Sequence, residues 1–289
     1  MIKKGIILAG GSGTRMSPIT KAVNKQLLPL YDKPLIYYPL SVLMLAGIKN
    51  ILIIVNRGQL AQFRKILPEK NNLGIKIQYK EQLKPDGLPQ AFKIGDKFIG
   101  NDNVSLILGD NFFFGQSLTK IFKSNINLKS GAKIFIHPVK NPKSYGVATL
   151  KGNKVINLIE KPKKTKSNYA VTGLYFFDNK VVEYAKKLKP SKRGELEIID
   201  LLNIYKKKNK LRSEFIGRGA SWLDAGNIKD FYDASNFVEA IENRQGLKIA
   251  CLEEIAFKNK WIKKIDIKKS INFYGNCEYS KYLKSLINA

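Results

Sequence analysis

Gly5-Ile-Ile-Leu-Ala-Gly10-Gly-Ser-Gly-Thr-Arg15-Met-Ser-Pro18 decides the fold, together with Lys25-Gln-Leu-Leu-Pro29, which closes the same segment. Gly5 to Ala9 is a short apolar run that breaks into glycines, so it reads as a parallel strand buried on both faces. Glycines at 10, 11 and 13 let the chain turn sharply, and exposed N–H groups in such a turn make a nest for phosphate oxygens. Arg15 follows the turn, and Lys25 can return to the same anion. A glycine turn with two fixed cations describes a triphosphate or pyrophosphate site. Two familiar phosphate loops are excluded: the dinucleotide fingerprint needs a glycine where Met16 stands, and the P-loop needs Gly-Lys-Ser/Thr. The glycines alone fit a plain strand-to-loop turn equally well; the two cations favour the anion site.

The rest of the chain has the size and alternation that such a strand–loop start needs. Its 289 residues, 44% of them hydrophobic, suffice for one large core with an appended piece. No stretch reaches the roughly 18 apolar residues of a membrane helix, and the short N-terminal apolar run is no signal peptide. Two distant cysteines, Cys251 and Cys277, have no metal-ligand spacing and fit a reduced, cytoplasmic protein. The net charge of +28 raises nucleic acid as a partner. The lysines are scattered among Asn and Ile, however, and the runs Lys161–Lys166 and Lys206–Lys210 interleave no aromatics for base stacking. Neither nucleic acid nor membrane is expected; the positive field attracts anionic small substrates instead.

Strand-like runs at Ile51–Val55, Ile75–Tyr79 and Val104–Leu108 alternate with helix-like stretches. The helices are expected from Pro34 to Gly47 (with Pro39 bending or delaying it), at Gln59–Leu67, at Leu88–Phe98 and within Phe114–Ile126. This alternation predicts an α/β fold with a doubly wound, mainly parallel sheet. Ala132–His137, Val147–Leu150, Val155–Ile159 and Ala170–Phe177 follow as closely spaced strands, read as β-rich insertions in the same sheet. Helices at Lys180–Leu188 and Leu196–Lys208, a strand at Leu211–Ile216 and a long helix from Ile228 to Ile241 come next. Residues 1–240 are expected to form the α/β domain, and residues 241–289 a helical extension packed on it as one structural unit.

Three further segments can carry chemistry. Asp110 follows a buried strand in Leu108-Gly-Asp-Asn111, where open α/β sheets bind ligands and an Asp can hold Mg²⁺. A turn aspartate reads the same way. Asp224, in Trp222-Leu-Asp-Ala-Gly226, is a second candidate carboxylate or a helix cap. Glu160-Lys-Pro162 offers a hydrogen-bond acceptor and a point charge, and equally an ordinary strand end. The single histidine, His137, reads as structural, and no Ser/His/Asp or Cys/His arrangement is present for covalent catalysis.

Leu8-Ala-Gly-Gly-Ser-Gly-Thr-Arg15 with Lys25 and Leu28-Pro29 resembles the signature of the sugar-1-phosphate nucleotidyltransferases. Tyr31-Asp-Lys-Pro-Leu-Ile-Tyr-Tyr-Pro-Leu-Ser-Val-Leu-Met-Leu-Ala-Gly-Ile48 is similar to the branch that uses glucose 1-phosphate and dTTP, and the similarity runs almost end to end. The resemblance implies a Rossmann-like nucleotide-diphospho-sugar transferase fold and Mg²⁺-dependent transfer of dTMP from dTTP to glucose 1-phosphate, the first step of dTDP-deoxysugar synthesis such as that of dTDP-rhamnose. UTP or ATP chemistry, and a non-catalytic regulatory protein, remain alternatives. It implies catalytic roles for Arg15, Lys25 and Lys161, and metal binding by Asp110 and Asp224. The nucleotide would be held by Leu8, Gly10, Gly11, Gly13, Thr14, Arg15, Lys25, Gln26, Gln82, Gly87 and Asp110, with Gln82 pairing the base edge and Gly87 leaving room for the ring. The sugar side would be Asn111, Tyr145, Gly146, Glu160, Lys161, Val171, Gly173 and Trp222.

The chain departs from the family pattern at Ala225 (usually Thr), at Leu88-Pro89 (often Leu-Ala), at Phe114 (often Tyr) and at Lys258 (often Arg). Arg244–Ile249 and Glu253–Phe257 match the family's C-terminal segments, which implies a homo-oligomer, a tetramer, with a second nucleotide site at an interface.

Overall fold

The computed structural model describes residues 1–152 and 154–288. The apolar run at the N-terminus forms β1 (Lys4–Ala9), which lies between two other buried strands and is parallel to both. Before the next long strand come a two-residue hairpin, β2 (Pro29–Leu30) and β3 (Lys33–Pro34), and helix α1 (Tyr37–Leu45). The repeating units then follow: β4 (Asn50–Asn56), α2 (Leu60–Ile66), β5 (Lys76–Gln82), α3 (Gln90–Ile94), α4 (Asp96–Ile99), β6 (Val104–Leu108), β7 (Asn111–Phe114) and α5 (Leu118–Asn125). The β-rich part is β8 (Ala132–Pro138), β9 (Gly146–Lys151), β10 (Lys154–Glu160) and β11 (Tyr169–Phe177). It is followed by α6 (Val181–Lys187), α7 (Ile198–Lys207), β12 (Leu211–Phe215), β13 (Ser221–Asp224) and α8 (Ile228–Gln245). Helices α9 (Leu252–Lys258), α10 (Lys264–Tyr274) and α11 (Glu278–Asn288) complete the described chain, and Ala289, the last residue of the expected extension, lies outside the described residues.

Among the described residues, nine strands make one mixed sheet. β5, β4, β1 and β6 are parallel neighbours in that order; β11 joins β6 antiparallel. β8 runs antiparallel along the far edge of β11 and carries β12, while β9 meets the start of β11 and carries β10. Ile6 and Leu8 on β1 point into one core with Leu52, Ile54 and Phe92, and Ile7 points into another with Leu43, Ile51 and Ile53. Each such side chain contributes roughly 1.5–3 kcal/mol by leaving water. A strand apolar at consecutive positions is stable only with helices covering both faces, and that requirement makes the sheet doubly wound.

Several boundaries differ from the sequence expectation for local reasons. Pro34 ends β3 instead of opening the helix, and α1 begins at Tyr37. Pro39 is then the helix's third residue, where a backbone N–H has no intrahelical acceptor, so the proline costs no helix hydrogen bond. The expected helix Leu88–Phe98 is two short helices joined at Gly95, where a Cβ would sit 2.9 Å from Ile6 Cδ1. Phe114 ends β7, which pairs antiparallel with β13 in a separate ribbon, and the helix expected within Phe114–Ile126 is α5. At the C-terminus, α8 runs through residue 240, and Leu252, Ala256, Ile267 and Leu283 join the core that buries α1. Among the described residues, no helix is long and apolar enough to cross a membrane, and Cys251 and Cys277 are free thiols.

Candidate active site

The loop after β1 is held by side chains from three other segments. Asn56, at the end of β4, accepts the Gly11 N–H (2.9 Å) and donates to the Gly11 carbonyl (2.8 Å). Thr20 Oγ1 donates to the Gly13 carbonyl at 2.7 Å. Gly11 and Gly13 adopt φ of +106° and +61°, which suits glycine. Gly10 is needed for a different reason: a Cβ there would lie 2.1 Å from Gln82 Oε1. The loop runs into a short turn, Thr14–Met16, that presents Arg15. Lys25 starts a second turn, Lys25–Leu27, whose cap Asn24 accepts the Gln26 N–H (2.8 Å) and donates to the Ala9 carbonyl (3.1 Å). That bond pins the Lys25 turn to the carboxyl end of β1.

The pairing of β7 with β13 sets Asp224 opposite Asn111, and the Ala225 N–H donates to the Asp110 carbonyl at 2.9 Å. Two carboxylates distant in sequence therefore share one end of the sheet. Lys25 Nζ lies 2.5 Å from Asp110 Oδ2, and Asn111 Nδ2 donates to Asp110 Oδ1 at 3.0 Å. Burial works to raise the Asp110 carboxyl, but the Lys25 ammonium overrides it and holds the group below the usual carboxylate range. Asp224 has no such partner. Burial and then the neighbouring Asp110 charge push it up to about 7. Unequal acidity in adjoining carboxylates is what like charges in a dry site produce.

Two adjoining cavities open here. One, of about 300 Å³, is lined by Asp110, Asp224 and Gln26 and by the whole expected sugar side: Asn111, Tyr145, Gly146, Glu160, Lys161, Val171, Gly173 and Trp222. The other, of about 280 Å³, is lined by Gly11, Gly13, Thr14 and Gln82. Leu8, Gly10, Arg15, Lys25 and Gly87 line both, so the cations stand where the cavities meet. Lys161 has φ of +41°, strained for a lysine, and its N–H donates to the Tyr145 carbonyl at 3.0 Å. Burial raises the Glu160 carboxyl, against the pull of Lys161 and Arg193. The Tyr145 ring packs edge-on against Trp222 at 5.0 Å between centroids.

Three details add to the sequence reading. Asn111 is buried, and its Oδ1 accepts both the Gly173 N–H (3.0 Å) and the Trp222 indole N–H (2.6 Å). That amide therefore also orients the protein's own groups. On the side where a Cβ would lie, Gly87 meets the Leu196 backbone at 2.1 Å, so the glycine also admits the protein's own chain. The segment Arg193–Ile199 carries no site signal in the sequence, yet Arg193, Glu195, Leu196, Glu197, Ile198 and Ile199 line the larger cavity. Arg193 donates Nε and Nη2 to the Glu197 carboxylate at 3.0 and 2.7 Å, and Leu196 N–H donates to the Asp86 carbonyl at 2.8 Å. What the sequence offers there is a charged, glycine-bearing turn ahead of an amphipathic helix, which looks like any helix start.

Two aspartates offer hard oxygen ligands, and the described residues contain no cluster of three or more His, Cys, Asp or Glu side chains. A donor set of two carboxylates fits a magnesium-sized cation that takes its remaining ligands from phosphate and water.

The profile of the nucleotidyl transferase family matches residues 4–241. A glucose-1-phosphate thymidylyltransferase of Neisseria meningitidis is 51% identical over 285 residues, covering 98% of this chain and 99% of that one. A Mycobacterium tuberculosis protein of the same name is 45% identical over 285 residues, with 98% and 99% covered. Among solved structures, a protein assigned as a glucose-1-phosphate thymidylyltransferase from Bacillus anthracis, in complex with sucrose, superposes with a TM-score of 0.75 at 40% identity over 81% of this chain and 94% of its own. A UDP-glucose pyrophosphorylase with UDP-glucose superposes with a TM-score of 0.72 at 27% identity, over 85% and 100%.

Proposed function

Because the chain belongs to the nucleotidyl transferase family, we propose that it transfers dTMP from dTTP to glucose 1-phosphate, giving dTDP-glucose and pyrophosphate. The observation that carries this reading is the pair of adjoining cavities with Arg15 and Lys25 at their junction. A nucleotide in the smaller cavity and a sugar phosphate in the larger one would meet between those cations. The near-full-length identity to proteins that carry this activity in their name supports the choice of substrates.

The sugar phosphate is already a nucleophile at neutral pH, so the reaction needs no general base. Its oxygen attacks the α-phosphorus in line and pyrophosphate leaves on the opposite side. The protein supplies position and charge. Arg15 and Lys25 hold the triphosphate and the charge that builds on it. Lys161, fixed by its Tyr145 contact, sets the attacking phosphate. Glu160 accepts from sugar hydroxyls. Asp110 and Asp224 would hold Mg²⁺, which when bound would neutralise charge on the reacting phosphates. The same reading makes the protein a cytoplasmic homotetramer that feeds dTDP-deoxysugar synthesis, such as that of dTDP-rhamnose.

Pyrophosphate release with glucose 1-phosphate and Mg²⁺, measured with dTTP, UTP, ATP, CTP and GTP in separate reactions, tests the proposal. The highest kcat/KM is expected with dTTP; a higher value with any other nucleotide overturns the base assignment. Gln82 is the residue to alter next. It is buried, and its Nε2 donates to Gln90 Oε1, whose own amide donates to Asp86 Oδ2 at 3.0 Å. The base-reading amide is thus held before the nucleotide arrives. Gln82→Ala is expected to raise KM for dTTP about tenfold with kcat within about twofold, the pattern for lost uniform binding. A drop in kcat alone would argue against base reading.

A further inference from the structure

The two aspartates assigned to the cation are not equivalent in the free protein. Both oxygens of Asp110 are engaged: Oδ2 by the Lys25 ammonium at 2.5 Å and Oδ1 by Asn111 Nδ2 at 3.0 Å. The Lys25 and Asp110 side chains are only 12% and 13% exposed, so water screens the pair weakly. The Asp224 carboxylate takes part in no hydrogen bond or ion pair among the described residues. The Lys25 backbone cannot drift, because Asn24 ties its turn to Ala9. The ammonium at the end of its flexible stem can still swing.

We propose that Lys25 is an internal counter-ion for Asp110, occupying the carboxylate in the free enzyme and leaving it for the triphosphate, so that divalent cation and nucleotide bind as a coupled pair. The proposal rests on the reading above, in which Asp110 and Asp224 hold the cation and Lys25 contacts the triphosphate. A divalent cation that reaches Asp110 without nucleotide meets a fixed positive charge on the same carboxylate. A triphosphate brings several negative charges, draws the ammonium to its own oxygens and frees Asp110. By linkage each ligand then tightens the other to the same degree. The device keeps the cation from settling in an empty site.

Mn²⁺ binding to the full-length protein without nucleotide, followed by the electron paramagnetic resonance of free Mn²⁺, tests this with no turnover involved. Lys25→Met is expected to bind Mn²⁺ at least tenfold more tightly than the wild type, and Lys25→Arg to stay within about threefold of it. Arg15→Met removes an equal charge that is not paired with Asp110, and is expected to change affinity less than about threefold. Adding Asp110→Asn to Lys25→Met is expected to erase the gain. Circular dichroism checks that each variant is folded. Equal Mn²⁺ affinity in wild type and Lys25→Met overturns the proposal and leaves the catalytic reading standing. Equal gains from Lys25→Met and Arg15→Met also overturn it, since net charge would then explain the effect. If no variant binds Mn²⁺ while the wild type still binds dTTP, the metal assignment falls, and this proposal with it.

Discussion

Asp110→Asn is expected to lower kcat about a thousandfold, with dTTP binding changed less than about tenfold. The amide is nearly the same size and still accepts from Asn111 Nδ2, so the end of β6 keeps its shape. What disappears is one negative charge in a site where two carboxylates, one ammonium and one guanidinium are gathered with little water. Removing one preorganised electrostatic contact to a developing charge costs about 100- to 1000-fold in other enzymes, and this carboxylate is also proposed to hold the cation. The substitution has a second consequence at Lys25, whose ammonium loses its 2.5 Å partner and becomes free for the triphosphate. For that reason nucleotide affinity is expected to hold while turnover falls. Steady-state pyrophosphate release and equilibrium dTTP binding separate the two. A variant within tenfold of the wild-type kcat at saturating Mg²⁺ would remove Asp110 from the cation site.

The parts of this site that could be read from the sequence are those in which chemistry and local structure coincide. Gly5–Ala9 could be read because a strand buried on both faces must be apolar at consecutive positions, and the glycines after it because few other residues reach φ of +106° or +61°. Arg15 and Lys25 were legible as cations beside that turn. Convergence was not legible. Asp110 meets Asp224 only because β7 pairs with β13, and Asn111-Phe-Phe-Phe114 shows no alternation to mark a strand. The same limit hid Arg193–Ile199: Leu196 enters the site by bridging to Gly87, a contact between segments more than a hundred residues apart. It also hid a second reason for Gly87. A glycine shows that something comes close to the backbone without saying whether it is a ligand or the protein's own chain.

The same distinction makes Gly173→Ala the second large effect. A Cβ at this position would stand 2.5 Å from Asn111 Cγ and Oδ1, well inside contact distance. The register of β11 against β8 is irregular between Val171 and Tyr175, and Gly173 sits within that irregularity. For alanine to fit, that amide must move. It then loosens the Gly173 N–H bond of 3.0 Å, the Trp222 indole bond of 2.6 Å and the Asp110 contact of 3.0 Å together. At about 1 kcal/mol for each hydrogen bond, the protein is expected to lose about 3 kcal/mol, and at about 2–4 °C per kcal/mol the Tm falls by roughly 6–12 °C. Because Asn111 orients both Asp110 and the Trp222 wall, kcat at a temperature where the variant is folded is also expected to fall, by roughly 10- to 100-fold. Asn111→Ala alone is expected to be costly for the same lost bonds. Combined with Gly173→Ala it removes the atoms that clash, so the double variant should be more stable than the two single losses added together. Strict additivity of the two changes in thermal unfolding would mean that the new methyl group is accommodated without displacing Asn111.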